Sequence, residues 1–395
     1  MKKIKFLFFL ILLSSCNQYL GTVVTDYTPS KEVTEIFSNI QINDDNAEVD
    51  LGNIIYPKII NPEIKINNLE INDIISIDKK SVVKFINDKI LISKDKNILE
   101  INNSNYKTNF EYKLNLNKDE YVLNFFNFKD KIYLITNNSR VFALDSEDIS
   151  MLVNYDIYTN TLPIIFDDTL IIFSVFGEIY QINLNDNSIV KKTRIYTKPG
   201  ITKKSSIFED QTTLYYLYNT GTLITFNKDN SDFYENYILE DLNILSSLEI
   251  FKELVDTPFS FDNYLYFIDQ SGKIALYNPV SSEIFWEIDI NSSIIDYLFS
   301  DNGYLTILTF DKILTYTNEG EIISSYTHNK ESPISIINIH KVMYLISEEG
   351  IASIDLNNKS EDSFYKNKFT SNLDIYYQDQ NIYLKDDKSL FKLSE

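Results

Sequence analysis

The chain has one cysteine, Cys16, in 395 residues. That excludes any disulfide within it and any cysteine-built metal site. Its two histidines, His328 and His340, fall far from a His-x-x-x-His spacing, so a zinc centre of that kind is excluded too. Only nine glycines are present, and none forms a phosphate-cradling loop or a Gly-x-Ser-x-Gly nucleophile elbow. Positive charge is also short: 36 Lys and Arg stand against 57 Asp and Glu, a net charge of −21. Such a surface repels phosphate backbones and anionic lipid, which argues against a nucleic-acid partner. The Asn/Asp cluster Asn227-Lys228-Asp229-Asn230-Ser231-Asp232 lacks the distal Glu of a calcium loop and reads as a hairpin turn. No catalytic residues, metal ligands or cofactor site are expected.

Hydrophobic residues (44%) and aromatics (14%) are too plentiful for a disordered chain. The chain starts with a positive stretch, Met1-Lys2-Lys3-Ile4-Lys5, then an apolar run from Phe6 to Leu13, then Ser14-Ser15-Cys16. A positive flank, a short apolar segment and small residues at a cleavage point make a secretory signal over 1–15. The apolar run is far short of the roughly 20 residues that span a bilayer. Leu13-Ser14-Ser15-Cys16 resembles a bacterial lipobox, which implies acylation of Cys16 and a lipid anchor. Asn17 follows it; by similarity to enterobacterial sorting rules, that implies the outer membrane.

The body repeats. An Asn/Asp turn, an apolar strand, a polar turn and a second apolar strand return eight times, as in Asp130-Lys131-Ile132-Tyr133-Leu134-Ile135 with Val141-Phe142-Ala143-Leu144-Asp145. Equivalent positions fall at 90, 132, 170, 214, 265, 305, 343 and 382, at spacings of 42, 38, 44, 51, 40, 38 and 39. Period-2 alternation between turns is a hairpin signal, and a period near 40 is the length of one propeller blade. Further apolar segments flank the central pairs: Tyr121–Phe126, Leu162–Phe166 and Ile294–Phe299 before them, Ile284–Ile290 after. The expected fold is all-β, an eight-bladed β-propeller of four-stranded blades. Trp286 and the tyrosines at strand positions are expected to pack between blades.

The eighth repeat stops at Leu393, after its third strand. An open ring would leave an unpaired edge there. The alternating segment Glu63–Ile71, or a strand close to it, is therefore expected to supply the missing strand. The resulting division is a signal peptide at 1–15, a lipidated N-terminus and tether at 16–60, and the propeller at 61–395.

Gly272-Lys273-Ile274-Ala275-Leu276-Tyr277, followed by Glu283-Ile284-Phe285-Trp286, resembles the PQQ-type propeller repeat. Within that family, quinoprotein dehydrogenases need a stacked Trp and often a vicinal disulfide, which one Trp and one Cys do not supply. The BamB-type lipoproteins of the outer-membrane β-barrel assembly (BAM) machinery carry no cofactor and are the nearer likeness. Glu249-Ile250 followed by Val255-Asp256-Thr257-Pro258 is similar to a BamB segment that leads into a loop docking on BamA. The resemblance implies docking through Val255 and Asp256. Leu254 stands where the family has another Asp, and Asp256 reads equally as a turn before Pro258. A second docking loop would fall near Lys203 and Lys204, with Lys replacing an Arg and losing its bidentate pairing.

The resemblance implies a non-catalytic scaffold on the periplasmic face of the outer membrane, partnered by BamA and by unfolded outer-membrane protein clients. Two rivals differ in class. A quinoprotein-like enzyme or ligand binder would carry bound quinone or stoichiometric calcium. A surface-displayed binding lipoprotein would be shaved from intact cells by protease.

Overall fold

A strand that packs against a neighbour on both faces has no solvent side, so its sequence becomes an apolar run between turns. The second strands at Lys89–Lys94, Thr169–Phe173 and Val342–Ser347 have this character over most of their length, and they organise the molecule. The structure, a computed structural model, describes residues 54–56 and 69–394, except 195–205, 238–258 and short stretches of one to four residues between strands. The chain divides into two units, Met1–Asn46 and Ala47–Glu395, and all described residues belong to the second.

Two strands, β1 (Ile54–Tyr56) and β2 (Glu70–Ser76), precede the first full sheet. The first sheet holds β3 (Val83–Ile86), β4 (Lys89–Lys94), β5 (Asn97–Asn102) and β6 (Thr108–Lys113). The second holds β7 (Val122–Phe128), β8 (Lys131–Thr136), β9 (Arg140–Leu144) and β10 (Ile149–Asn154). The third holds β11 (Ile164–Phe166), β12 (Thr169–Phe173), β13 (Glu178–Asn183) and β14 (Ser188–Arg194). The fourth holds β15 (Ser206–Glu209), β16 (Thr213–Leu217), β17 (Thr222–Asn227) and β18 (Asp232–Tyr237). The fifth holds β19 (Phe259–Phe261), β20 (Tyr264–Ile268), β21 (Lys273–Asn278) and β22 (Glu283–Asp289). The sixth holds β23 (Ile294–Ser300), β24 (Leu305–Thr309), β25 (Lys312–Tyr316) and β26 (Ile322–Thr327), with β1 added beside β23. The seventh holds β27 (Pro333–Ile339), β28 (Val342–Ser347), β29 (Gly350–Asp355) and β30 (Ser360–Lys366). The eighth holds β31 (Asp374–Gln378), β32 (Asn381–Lys385) and β33 (Ser389–Ser394), completed by β2. Strands adjacent in a sheet pair antiparallel, and the architecture is all-β, of β-propeller type.

The second strands explain how consecutive sheets cohere. In β4, Leu91 packs toward the second sheet, while Ile90 and Ile92 pack on Tyr383 and Leu390 of the eighth. In β12, Leu170 and Ile172 face the second sheet; Ile171 and Phe173 face Ile224 and Phe226 of the fourth. In β28, Met343 and Leu345 face the sixth sheet; Tyr344 and Ile346 face the eighth. Each fully buried aliphatic side chain contributes roughly 1.5–3 kcal/mol. One apolar cluster thus joins the last sheet to the first, as others join earlier neighbours.

The closing strand begins at the end of the segment expected to supply it. Glu70 pairs with Ser394 and Ser76 with Ser389, with a register shift between Asp73 and Ile75. Residues 63–68 lie outside the described residues. Strand β23 packs on β27, so first strands lie inward, while fourth strands such as β30 carry the most exposed positions. Within the stretch expected as tether, Ile54–Tyr56 lies along the inner edge of β23, Ile54 opposite Ser300 and Tyr56 opposite Phe299.

The best-formed repeat shows how sheets lock at their outer ends. Trp286 on β22 packs edge-on against Tyr266 at 5.8 Å. Its Nε1–H donates to the carbonyl of Asn318 in the sixth sheet at 2.8 Å. Gly320, at φ +83°, lies against the indole, and a Cβ there would stand 3.2 Å from the ring. Trp286 therefore packs between sheets, as expected.

Candidate docking surface

Because strands alternate in direction, each sheet presents its turns on two rims. The turns between first and second strands, and between third and fourth, share one rim, here the turn rim. The turns between second and third strands share the other with the connections from sheet to sheet, here the connection rim. Arg194 ends β14 and Ser206 begins β15; Tyr237 ends β18 and Phe259 begins β19. All four positions are at the connection rim, so segments 195–205 and 238–258 join the body there. Lys203, Lys204, Val255 and Asp256 themselves lie outside the described residues, as do Cys16 and His340.

The described part of this rim is rigidly built between the second and third sheets. Asn137, in the β8–β9 turn, is a hub. Its Oδ1 accepts from Tyr121 N at 3.0 Å, and its carbonyl accepts from Thr159 N at 2.9 Å. Ser139 Oγ donates to Ile157 O at 2.7 Å, and Val175 N donates to Tyr158 O at 3.1 Å. Thr159 is fully buried, and its hydroxyl bonds that of Thr161 at 3.1 Å. The connection 155–163 is thereby laced to two turns. Yet it exposes Tyr158 and Leu162, and the β12–β13 turn exposes Phe176 at 73%.

A charged pair stands beneath. Arg140, one of two arginines in the chain, donates through Nε to Glu120 Oε1 at 2.7 Å and through Nη2 to Oε2. Nη2 also donates to Asn115 O at 2.9 Å. Thr136 Oγ1 and Asn117 N donate to the same carboxylate at 2.6 and 2.9 Å. Burial pushes the Glu120 carboxyl up, but these donors and the Arg140 charge outweigh it and hold it below its ordinary value. With every lone pair engaged, the pair is a strut that fixes where Tyr121 and β9 begin.

His328 has a structural place. Its ring is buried, with Nε2 3.1 Å from Thr309 O, and burial lowers its pKa. The turn rim is built by Asx turns: Asn183 Oδ1 accepts from Asn185 N at 2.8 Å, and Asp355 Oδ1 from Asn357 N and Asn358 N at 2.8 and 3.0 Å. Among the described residues, no group of three or more His, Cys, Asp or Glu is placed to hold a metal ion.

No known family profile and no curated protein sequence matches this chain. Solved structures do. The crystal structure of BamB from Moraxella catarrhalis superposes with a TM-score of 0.59 at 13% identity, over 82% of this chain and 100% of that one. The fold is BamB-like. The crystal structure of the computationally designed Ika8 protein aligns with a TM-score of 0.57 at 9% identity, over 82% of this chain and 99% of that one. Both alignments show the shared fold at low sequence identity. Tyr158 and Phe176 were not singled out from sequence, and Leu162, expected in the strand segment 162–166, instead lies exposed before β11. The available signal was the presence of large apolar residues inside turn segments, where polar ones are usual.

Proposed function

We propose that this protein is a non-catalytic scaffold of the BAM machinery, docking on the soluble periplasmic domains of a BamA-type protein. The observation that carries this reading is the BamB-like fold, whose alignment takes in the whole of the Moraxella catarrhalis chain. The eight sheets act as eight blades of one closed ring, a reading supported by the cluster that joins the last sheet to the first. Cys16 carries the lipid anchor, and the chain to about residue 53 tethers the ring to the periplasmic leaflet of the outer membrane. The connection rim faces BamA, and segments 195–205 and 238–258, with Lys203, Lys204, Val255 and Asp256, contribute contacts there. Blades hold such loops rigid while the loops supply recognition. Clients are unfolded outer-membrane proteins passing to BamA.

A detergent pull-down of the tagged protein from its own membranes, read by mass spectrometry, tests this. A photocrosslinker near Asp256 should capture the BamA-type subunit, and Asp256→Arg should weaken co-purification. Recovery of no assembly-machinery subunit would overturn the proposal.

A further inference from the structure

The connection rim carries a row of side chains, exposed except for the half-buried Tyr121, outside segments 195–205 and 238–258. At one end Lys80 Nζ sits 4.9 Å over the ring of Tyr121. The Tyr121 hydroxyl donates to Asn160 Oδ1 at 3.3 Å, within the connection that exposes Tyr158 and Leu162. Tyr158 O accepts from Val175 N, next to Phe176, the most exposed of the large apolar residues among those described. Phe176 leads into Glu178, which pairs across the sheet with Arg194 and accepts from Lys192 at 2.7 Å. The order along the rim is therefore Lys80, the tyrosine pair, Leu162 and Phe176, then the Lys192–Glu178 ion pair and the exposed Arg194.

Three features make this a recognition surface. Large apolar side chains held out on hydrogen-bonded turns lose little entropy on binding, and such patches mark interaction sites. Aromatic anchors of this kind dominate interface affinity. Finally, one exposed cation at each end, Lys80 and Arg194, stands out against the field of a chain of net charge −21. A nucleic acid or an anionic membrane needs many cations against that field, whereas a short acidic segment needs only those at the two ends.

We infer that the arc from Lys80 through Tyr121, Tyr158, Leu162 and Phe176 to Arg194 binds an extended protein segment with an apolar centre and an acidic group at each end. This rests on the scaffold reading and adds to it: the segment belongs to the BamA-type partner, and its chemistry is now specified.

The test titrates the full anchored protein in detergent with the purified periplasmic domains of the BamA-type protein. Tyr158→Ser with Phe176→Ser should weaken binding at least tenfold. Arg194→Glu should weaken it severalfold and flatten its salt dependence. The double variant should melt as the parent does, since its side chains are exposed, and Arg194→Glu, set across from Glu178, should melt only slightly below it. Wild-type affinity in both variants overturns the arc and leaves the scaffold reading standing. If the parent binds no BamA domain, the scaffold reading fails, and labelled seven-residue peptides decide the arc. A peptide with a phenylalanine centre and a glutamate at each end should bind the parent and not the double variant. No binding, or equal binding of the same peptide ending in lysines, overturns it. Anionic vesicles or a single-stranded oligonucleotide binding the parent and not the double variant would equally overturn the assignment to a protein segment.

Discussion

The two rims of the molecule are made from the same chain by different means. The turn rim is short hairpins closed by Asn and Asp side chains, such as Asp186 accepting from Ser188 N and Asp355 from Asn358 N. The connection rim is longer, apolar in part, and stiffened from beneath by the Glu120–Arg140 pair and the Asn137 hub. One rim spends its polar groups on finishing turns. The other uses buried polar groups as struts and leaves large side chains outside. Recognition is expected where rigidity and exposed apolar area coincide.

The comparison breaks most severely if the ring loses its closure. Deleting residues 60–75 removes most of β2, including Ile71 and Ile75 that pack against neighbouring clusters. We expect a loss of about 5 kcal/mol or more, seen as collapse of the cooperative melt by circular dichroism. An unchanged melting curve would show that β2 is dispensable. Next, Arg140→Ala leaves Glu120 buried without its counter-charge and should cost about 3–5 kcal/mol in urea unfolding at neutral pH. In the parent, Glu120 is depressed when folded, so its contribution is present above the ordinary carboxyl range and fades as pH falls through the folded value. In Arg140→Ala burial is opposed only by the Thr136 and Asn117 donors, so the Glu120 carboxyl rises and acidification should cost less stability than in the parent; a parallel pH dependence would discount the strut. Leu345→Ala, at a fully buried position of β28, should cost about 2–5 kcal/mol wherever the cavity fails to collapse. Tyr383→Phe loses a 2.7 Å bond to Asn103 across the seam of last and first sheets, for about 1 kcal/mol. Phe176→Ser comes last: within about 0.5 kcal/mol of the parent in thermal unfolding, because its side chain is exposed. A larger change there would make Phe176 part of the packing rather than of the surface.

Much of the fold was legible because burial on two faces leaves a plain mark. Positions 90, 132, 170, 214, 265, 305, 343 and 382 each fall within a second strand, from β4 to β32. Trp286 was legible as packing for a similar reason, since a single indole at a strand position has few other uses. The struts were not legible: Glu120 and Arg140 stand 20 residues apart and meet only because register and a rim connection bring them together. Nor was the pairing of Ile54–Tyr56, since three residues are too few to carry a period. Tyr158 and Phe176 escaped because alternation templates describe strands and say nothing about what a connection exposes, while Tyr121 and Leu162 were expected in strands that begin at Val122 and Ile164. The expected docking residues Lys203, Lys204, Val255 and Asp256 lie outside the described residues, and the strands that flank their segments end at the connection rim.

The pairing of Glu70 with Ser394 also sets an order of events. A strand near the front of the body has no partner until the final residues of the chain have been made and delivered. Until then its edge, and that of β31–β33, stay open to any other extended chain. Joining ends so far apart in sequence is slow, because the whole intervening loop must be closed first. A chain threaded through a membrane from its front end would arrive with this strand first and its mate last. Its exposure time is then set by transit of the entire body, and binding factors that shield open strand edges would act most usefully in that interval.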